Sequence, residues 1–273
     1  MHAPPPALRP LVTTASQDIV RGAGNVQLWA SLGWRDVRLR YRRTVIGPFW
    51  ATINLAIYVL GVGAVGAGLW NEPLASYLPY LVSGMIVWLL MSTIVNESCG
   101  LFLSGAVLLR EVSFDYSILA YALVWRNFIV FLHHLVVYVG VCAIFAPAVL
   151  GWSMLLAVPG LLIVLANGVW VALLCGMVCL RFRDVQQLIS NFTQIALFVT
   201  PIFWPPTSLK GPAQRLFVEL NPLFHMIDIV RSPMLGRSPA LASELIAIAI
   251  TALGWGVTLV FFHRFRKRIA YWS

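Results

Sequence analysis

Charge is scarce in this sequence. Of its 273 residues 11% are Asp, Glu, Lys or Arg and 60% are hydrophobic, whereas an ordinary soluble domain is about 25% charged. That excludes a soluble globular chain and identifies an integral membrane protein with spans along most of its length. Carboxylates are scarcer still. The ten acidic residues are scattered, none lies in the middle of an apolar run, and none pairs with another in a motif at a membrane face. A metal-dependent polyprenyl-phosphate glycosyltransferase needs carboxylates to hold its metal and pyrophosphate. An ion-coupled carrier normally places an acid near the bilayer midplane. Both are disfavoured. The four cysteines, Cys99, Cys142, Cys175 and Cys179, lie in or beside apolar runs. Cys175 and Cys179 share a helix face, but no His or carboxylate joins them at ligand spacing. They read as small buried hydrophobes, and no metal is expected. No Gly-x-x-x-x-Gly-Lys-Ser/Thr occurs, so no nucleotide is bound by that route. No internal repeat is visible, against the inverted-repeat transporters. The first 24 residues lack a long apolar core, so they are no signal peptide. They are expected to be a disordered cytoplasmic tail before a single transmembrane domain over residues 25–273. A pore without its own energy source remains, either passive or driven by a separate chain.

What is present is organised around Leu28 to Trp50, LWASLGWRDVRLRYRRTVIGPFW. Arg35, Arg38 and Arg42 fall on one helical stripe, with Trp34, Val37 and Tyr41 beside it and Leu28, Leu32 and Leu39 on the far side. Such a helix lies in the interface, guanidinium groups at the phosphates. Gly47-Pro48 then turns the chain into the bilayer. Six spans are expected, at about 48–70, 77–96, 118–145, 154–180, 188–204 and 241–262. In the first span Gly61, Ala64 and Gly68 share a face that permits close helix approach. Gly100 to Val112 keeps helical spacing and reads as a short helix parallel to the membrane. Glu97 is among the residues that return the chain to water there. Arg126, inside the third span, is either functional or a snorkelling side chain. His133 and His134 point about 100° apart, so no paired proton relay forms. Residues 205–239 read as two short helices, broken at Asn221-Pro222, that dip into the outer leaflet and return. About 14 of the 19 Lys and Arg residues face the cytoplasm when both termini lie inside, and the short outer loops carry none.

These pieces, in order, carry a resemblance. They are Arg35-Asp36, Arg40-Tyr41-Arg42-Arg43, Ile46-Gly47-Pro48-Phe49-Trp50 and Arg181-Phe182-Arg183-Asp184. Thr200-Pro201-Ile202-Phe203-Trp204-Pro205, Asn221-Pro222-Leu223, Val230-Arg231 to Gly236 and Arg268-Ile269-Ala270-Tyr271-Trp272 complete them. The chain resembles the permease subunit of type-2 ABC exporters for lipid-linked polysaccharides, that is, O-antigen, capsule and teichoic acid exporters, and is most like the O-antigen branch. The resemblance implies an all-α permease in the bacterial inner membrane. It would work as a homodimer with two copies of a cytoplasmic ABC ATPase, which bind the ATP and Mg, so this chain needs no cofactor and is no enzyme. It implies that Arg35, Arg38, Arg40, Tyr41, Arg42 and Arg43 form a gate for the substrate pyrophosphate, a group guanidinium suits. It implies a coupling helix over about 100–116, with Leu108, Arg110, Glu111, Phe114, Asp115 and Tyr116 meeting the ATPase. The re-entrant pair would form an outer gate with Asn221, Pro222, His225, Asp228 and Arg231. Tyr58, Tyr77, Tyr80, Trp88, Phe203 and Trp204 are candidate channel aromatics for sugar stacking, with a lipid-facing aromatic belt as the competing reading.

Two other functions compete with polysaccharide export. A drug exporter of the same architecture predicts drug hypersensitivity on deletion with normal surface glycan. A membrane-embedded glycosyl- or acyltransferase predicts turnover without any ATPase, and the missing carboxylate pair counts against it.

Overall fold

The computed structural model describes residues 14–42, 46–47, 49–105 and 114–272. Every regular element among them is helical. Five helices are long and apolar enough to cross a membrane: α3 (Phe49–Trp70), α4 (Leu74–Ser98), α6 (Ser117–Phe145), α7 (Ala157–Arg181) and α10 (Leu241–Trp272). They match five of the six expected spans. Smaller elements complete the chain: α1 (Ala15–Gly24), α2 (Val26–Tyr41), α5 (Leu101–Ser104), α8 (Val185–Val199) and α9 (Pro222–Met234). The long helices alternate in direction. Residue 49, residue 98, residue 117, residue 181 and residue 272 therefore share one end of the bundle with α1 and α2; this is called the terminal end, and its opposite the far end.

α4 is the centre. Leu81, Val82, Ile86 and Val87 are fully buried, and the helix packs against α3, α6, α7, α8 and α9. α10 closes the bundle against α7 and α9. Cys99, Cys142 and Cys179 are buried free thiols and Cys175 is half-buried.

The expected fifth span differs. α8 has 15 residues, about 22 Å of helix, short of a hydrocarbon core of roughly 30 Å. Thr200 is extended, as the residue before Pro201 tends to be, and the helix stops there. The segment after it contains a 3-10 turn, Pro206–Ser208, and a short helical stretch that ends in a π turn, Arg215–Glu219. α9 follows and is mostly buried against α4, α7 and α10. Gly160 admits this packing: a Cβ there would lie 2.3 Å from the Ile229 carbonyl oxygen.

The disordered tail expected over residues 1–24 is corrected over its second half. Thr14 and Gln17 form a capping box that starts α1, and α1 packs on α6 and α10. In α3 the close contacts are made by Gly63, against Leu78, and Gly66, against Tyr77, while among the described residues nothing within 4 Å meets a Cβ built at Gly61 or Gly68.

Candidate functional site

At the terminal end an ion-pair network joins α2, α4 and α6. Arg126, on α6, donates through Nη1 to Asp36 Oδ2 of α2 at 3.0 Å and through Nη2 to Glu97 Oε2 of α4 at 2.6 Å. Arg40 of α2 reaches the other oxygen of Glu97 at 2.5 Å. Asn127 Nδ2 donates to Glu97 Oε2 at 2.8 Å. Arg35 lies 3.7 Å from Asp36, a solvent-exposed contact worth little. Asp36 and Arg40 are i, i+4 on α2, so both links leave from one face. That face also carries Gly33 and Val37, which are buried. A Cβ at Gly33 would lie 2.8 Å from the Ala122 carbonyl oxygen and 2.9 Å from a Trp125 ring carbon, so α2 sits on α6 nearly backbone to backbone. Arg126 thus belongs to a network and does not simply snorkel. Glu97, expected in water, is its counter-ion. A span arginine needs a carboxylate at its own depth, and the acid at the end of the preceding span is the signal that points to Glu97.

The expected gate residues divide accordingly. Arg35 and Arg40 are engaged in ion pairs, Arg38 and Arg42 are exposed, and Tyr41 is half-buried. Arg43 lies outside the described residues.

A second node sits beside it. Asp18 of α1 accepts from the backbone nitrogens of Ser117 at 3.0 Å and Tyr116 at 3.3 Å, capping α6 from another helix. Arg266 of α10 donates to the same carboxylate at 3.0 Å. Of the expected coupling residues, Leu108, Arg110 and Glu111 lie outside the described residues. Phe114, Asp115 and Tyr116 lead into α6 next to this node. Burial lifts the Asp115 carboxyl above its usual range, and the Asp18 charge adds to the lift.

At the far end the expected outer-gate residues come together. Asn221 caps α9, accepting from Leu223 N at 3.0 Å, with Pro222 in the first turn. Its amide donates to Thr200 Oγ1 and to the Phe217 carbonyl, both at 3.2 Å. Arg231 is buried, donates to the Pro201 carbonyl at 2.7 Å and lies 4.5 Å over the Tyr80 ring. Asp228 accepts from Ser232 at 2.7 Å and from Ser243 of α10 at 2.9 Å. Ser243 is also 3.0 Å from His225 Nδ1, while His225 Nε2 faces the Glu219 carbonyl at 2.8 Å. The carbonyl facing Nε2 makes that nitrogen a donor, and the Ser243 hydroxyl, with one hydrogen, bridges the Asp228 carboxyl and His225 Nδ1. With the serine between histidine and carboxylate, this order cannot serve nucleophilic catalysis, where the histidine is central.

Four of the candidate aromatics meet at this end. The Tyr80 hydroxyl shares its one hydrogen between the carbonyls of Pro201 at 2.8 Å and Trp204 at 3.0 Å, and Tyr77 donates to that of Phe203. Tyr77, Phe203 and Trp204 line a cavity of about 440 Å³ between α3 and α8, together with Leu69, Trp70 and Phe198. Tyr58 packs on Phe203, ring centres 6.2 Å apart. A cavity of about 620 Å³ on the other side is lined by Glu72, Tyr77, Tyr80, Pro205 and Arg237 among others. Trp88 is buried in the α4 core.

Residues 27–235 match the family described as ABC-2 type transporter. The O-antigen export system permease protein RfbA of Myxococcus xanthus is 23% identical over 86% of this chain and 91% of its own length. Two proteins of the same name from Klebsiella pneumoniae are 19% and 20% identical, each over 71% of this chain and 74% of their own. The match spans α2 to α9, the stretch that holds the ion-pair network and the far-end cluster, and it implies an ABC ATPase on a separate subunit. The chain is a multi-pass membrane protein and belongs to the ABC-2 type transporter family.

Proposed function

We propose that this chain is the channel-forming permease of an ATP-driven exporter for a polyprenyl-pyrophosphate-linked polysaccharide of the O-antigen type. The observation that carries the reading is α2. It is a helix at the terminal end, clamped to the bundle at Asp36 and Arg40, with Arg38 and Arg42 exposed beside the clamp, and in this reading it lies at the lipid–water boundary. Guanidinium groups at the lipid–water boundary suit a lipid diphosphate. The relatives named as O-antigen export permeases extend over most of the chain and support the same substrate class.

In this reading the terminal end faces the cytoplasm of a bacterial inner membrane, following the basic residues. α8 with residues 200–204 completes a sixth crossing, and residues 205–239 form the outer gate. Two protomers enclose the channel and two ATPase subunits dock below. Support for a second copy comes from the open Gly61 and Gly68 positions on α3 and from Leu188, Phe192, Ile195 and Phe198, exposed on one side of α8.

Depletion of the chain tests the reading. Surface polysaccharide should disappear while a polyprenyl-linked glycan accumulates inside. Unchanged surface glycan with new drug sensitivity would move the chain to a drug exporter of the same build.

A further inference from the structure

We propose that Glu97 is a resident counter-ion that holds α2 closed, and that a lipid diphosphate opens α2 by taking Arg40 from it. The inference rests on the substrate class proposed above and adds how that site is regulated.

The links form a chain that begins and ends on α2: Arg40 to Glu97, Glu97 to Arg126, Arg126 to Asp36. α2 is therefore held at two successive turns, once to α4 and once to α6. The links are unequal. Arg126 is 16% exposed and Glu97 21%, but Arg40 is 41% exposed and can be approached from solvent. If Arg40 leaves, Glu97 keeps Arg126 and Asn127. No buried charge is stranded, so the large penalty of breaking a buried pair does not arise. The network can release that one arm of α2 and stay satisfied elsewhere.

The same place has unused capacity for an anion. A cavity of about 210 Å³ lies under α2, lined by Arg35, Asp36, Glu97, Ser104 and Arg126 among others. Nε of Arg126 is buried there and makes no hydrogen bond among the described residues. The set Arg35, Arg40 and Arg126 exceeds Asp36 and Glu97 by one positive charge, and Arg38 and Arg42 add to the field from outside. A diphosphate carries more charge and more acceptor oxygens than a carboxylate and takes guanidinium bidentately. It therefore competes with Glu97 for Arg40. With one arm gone, the α4 link is lost and the last turn of α2, beyond the remaining Asp36 clamp, is free to lift.

Val37 reports the lift, because it is 2% exposed on the packed face of α2. The experiment places the complex of a Val37→Cys permease with its ATPase in lipid nanodiscs and measures thiol labelling, with the Val37 parent as background. The probe is a polyprenyl pyrophosphate, and its binding is measured separately by co-purification. Adding it should raise the labelling rate about tenfold, equivalent to about 1.4 kcal/mol. Glu97→Gln should give the fast rate without probe and little further response. Arg40→Gln should also label fast without probe, an effect that a purely phosphate-binding role would not produce. Arg40→Gln, which leaves Glu97 with Arg126 and Asn127, repeats the test if Glu97→Gln fails to assemble.

A probe that binds while labelling stays slow overturns the latch and leaves the substrate class standing. A probe that binds neither form overturns the substrate class and the exchange with it. Slow labelling in Glu97→Gln and Arg40→Gln overturns the latch whatever the probe does.

Discussion

Asp18 and Arg266 are 248 residues apart in sequence, yet their side chains meet at 3.0 Å with 0% and 6% exposure. The carboxylate also caps α6 through Tyr116 and Ser117. One residue thus ties the first helix, the last helix and the segment entering α6. Asp18→Ala should take the carboxylate from a buried guanidinium and the acceptor from two helix-start donors, costing about 1–3 kcal/mol for each buried group not otherwise satisfied. Asp18→Asn should cost less because it still accepts from the backbone. The double variant Asp18→Leu with Arg266→Met should be more stable than Asp18→Ala, since it removes the buried guanidinium together with its carboxylate. Thermal unfolding of the purified protein in detergent checks the order.

Gly33 sits tightly against α6, so Gly33→Ala must push the helices apart or distort Trp125. A loss of about 1–3 kcal/mol is expected, with faster exchange of the α2 amides by mass spectrometry. Gly61→Ala and Gly68→Ala are the controls. Among the described residues nothing lies within 4 Å of a Cβ at either position, and Ala is the better helix former by about 0.5–1 kcal/mol. They should leave the protomer intact, and weakened self-association would identify that face as the contact between copies.

The five long helices are legible in the sequence because an apolar run of span length leaves few alternatives to helix in a bilayer. The clustering of Asn221, His225, Asp228 and Arg231 is partly legible too: i, i+3 and i+4 spacings after an Asn-Pro start put them within a few turns of a single helix. Other features are less open. The Thr14–Gln17 capping box announces α1, but its burial depends on Arg266, which no local pattern connects to it. Thr200-Pro201 signals the end of α8, yet the flanking apolar residues disguise the stop. Glu97 reads as a residue returning to water because its partners come from two other helices. Ion pairing is tertiary, and hydropathy is blind to it.

Asp228 offers a test of hydrogen bonding against charge. Asn at this position can accept from Ser232 through Oδ1 and donate through Nδ2 to Ser243, which frees the serine hydrogen for His225 Nδ1. Asp228→Asn should therefore keep the α9–α10 contact nearly at wild-type stability. Asp228→Leu leaves Ser232 and Ser243 without their acceptor, at about 1–3 kcal/mol for each buried group not otherwise satisfied. Comparing melting temperatures of the two variants separates the effects. Equal losses would mean that the charge itself, paired at distance with Arg231, is what the site requires.

Arg38 and Arg42 separate substrate contact from structure. Arg38 on α2 and Arg42 just past its end are both exposed, and the clamp is made by Asp36 and Arg40. Replacing both with Gln should change stability by no more than about 0.5 kcal/mol each. Affinity for a polyprenyl pyrophosphate should nevertheless fall, because each guanidinium offers charge-assisted bonds to phosphate oxygens. The loss should be largest at low ionic strength and shrink as salt is raised, since exposed charges act through a Debye length of about 10 Å at 0.1 M. Titrating binding at several salt concentrations in nanodiscs checks both the size and the slope. An unchanged affinity with a lower yield of inserted protein would assign these two arginines to membrane topology alone, because the positive-inside bias needs their charge and not their geometry.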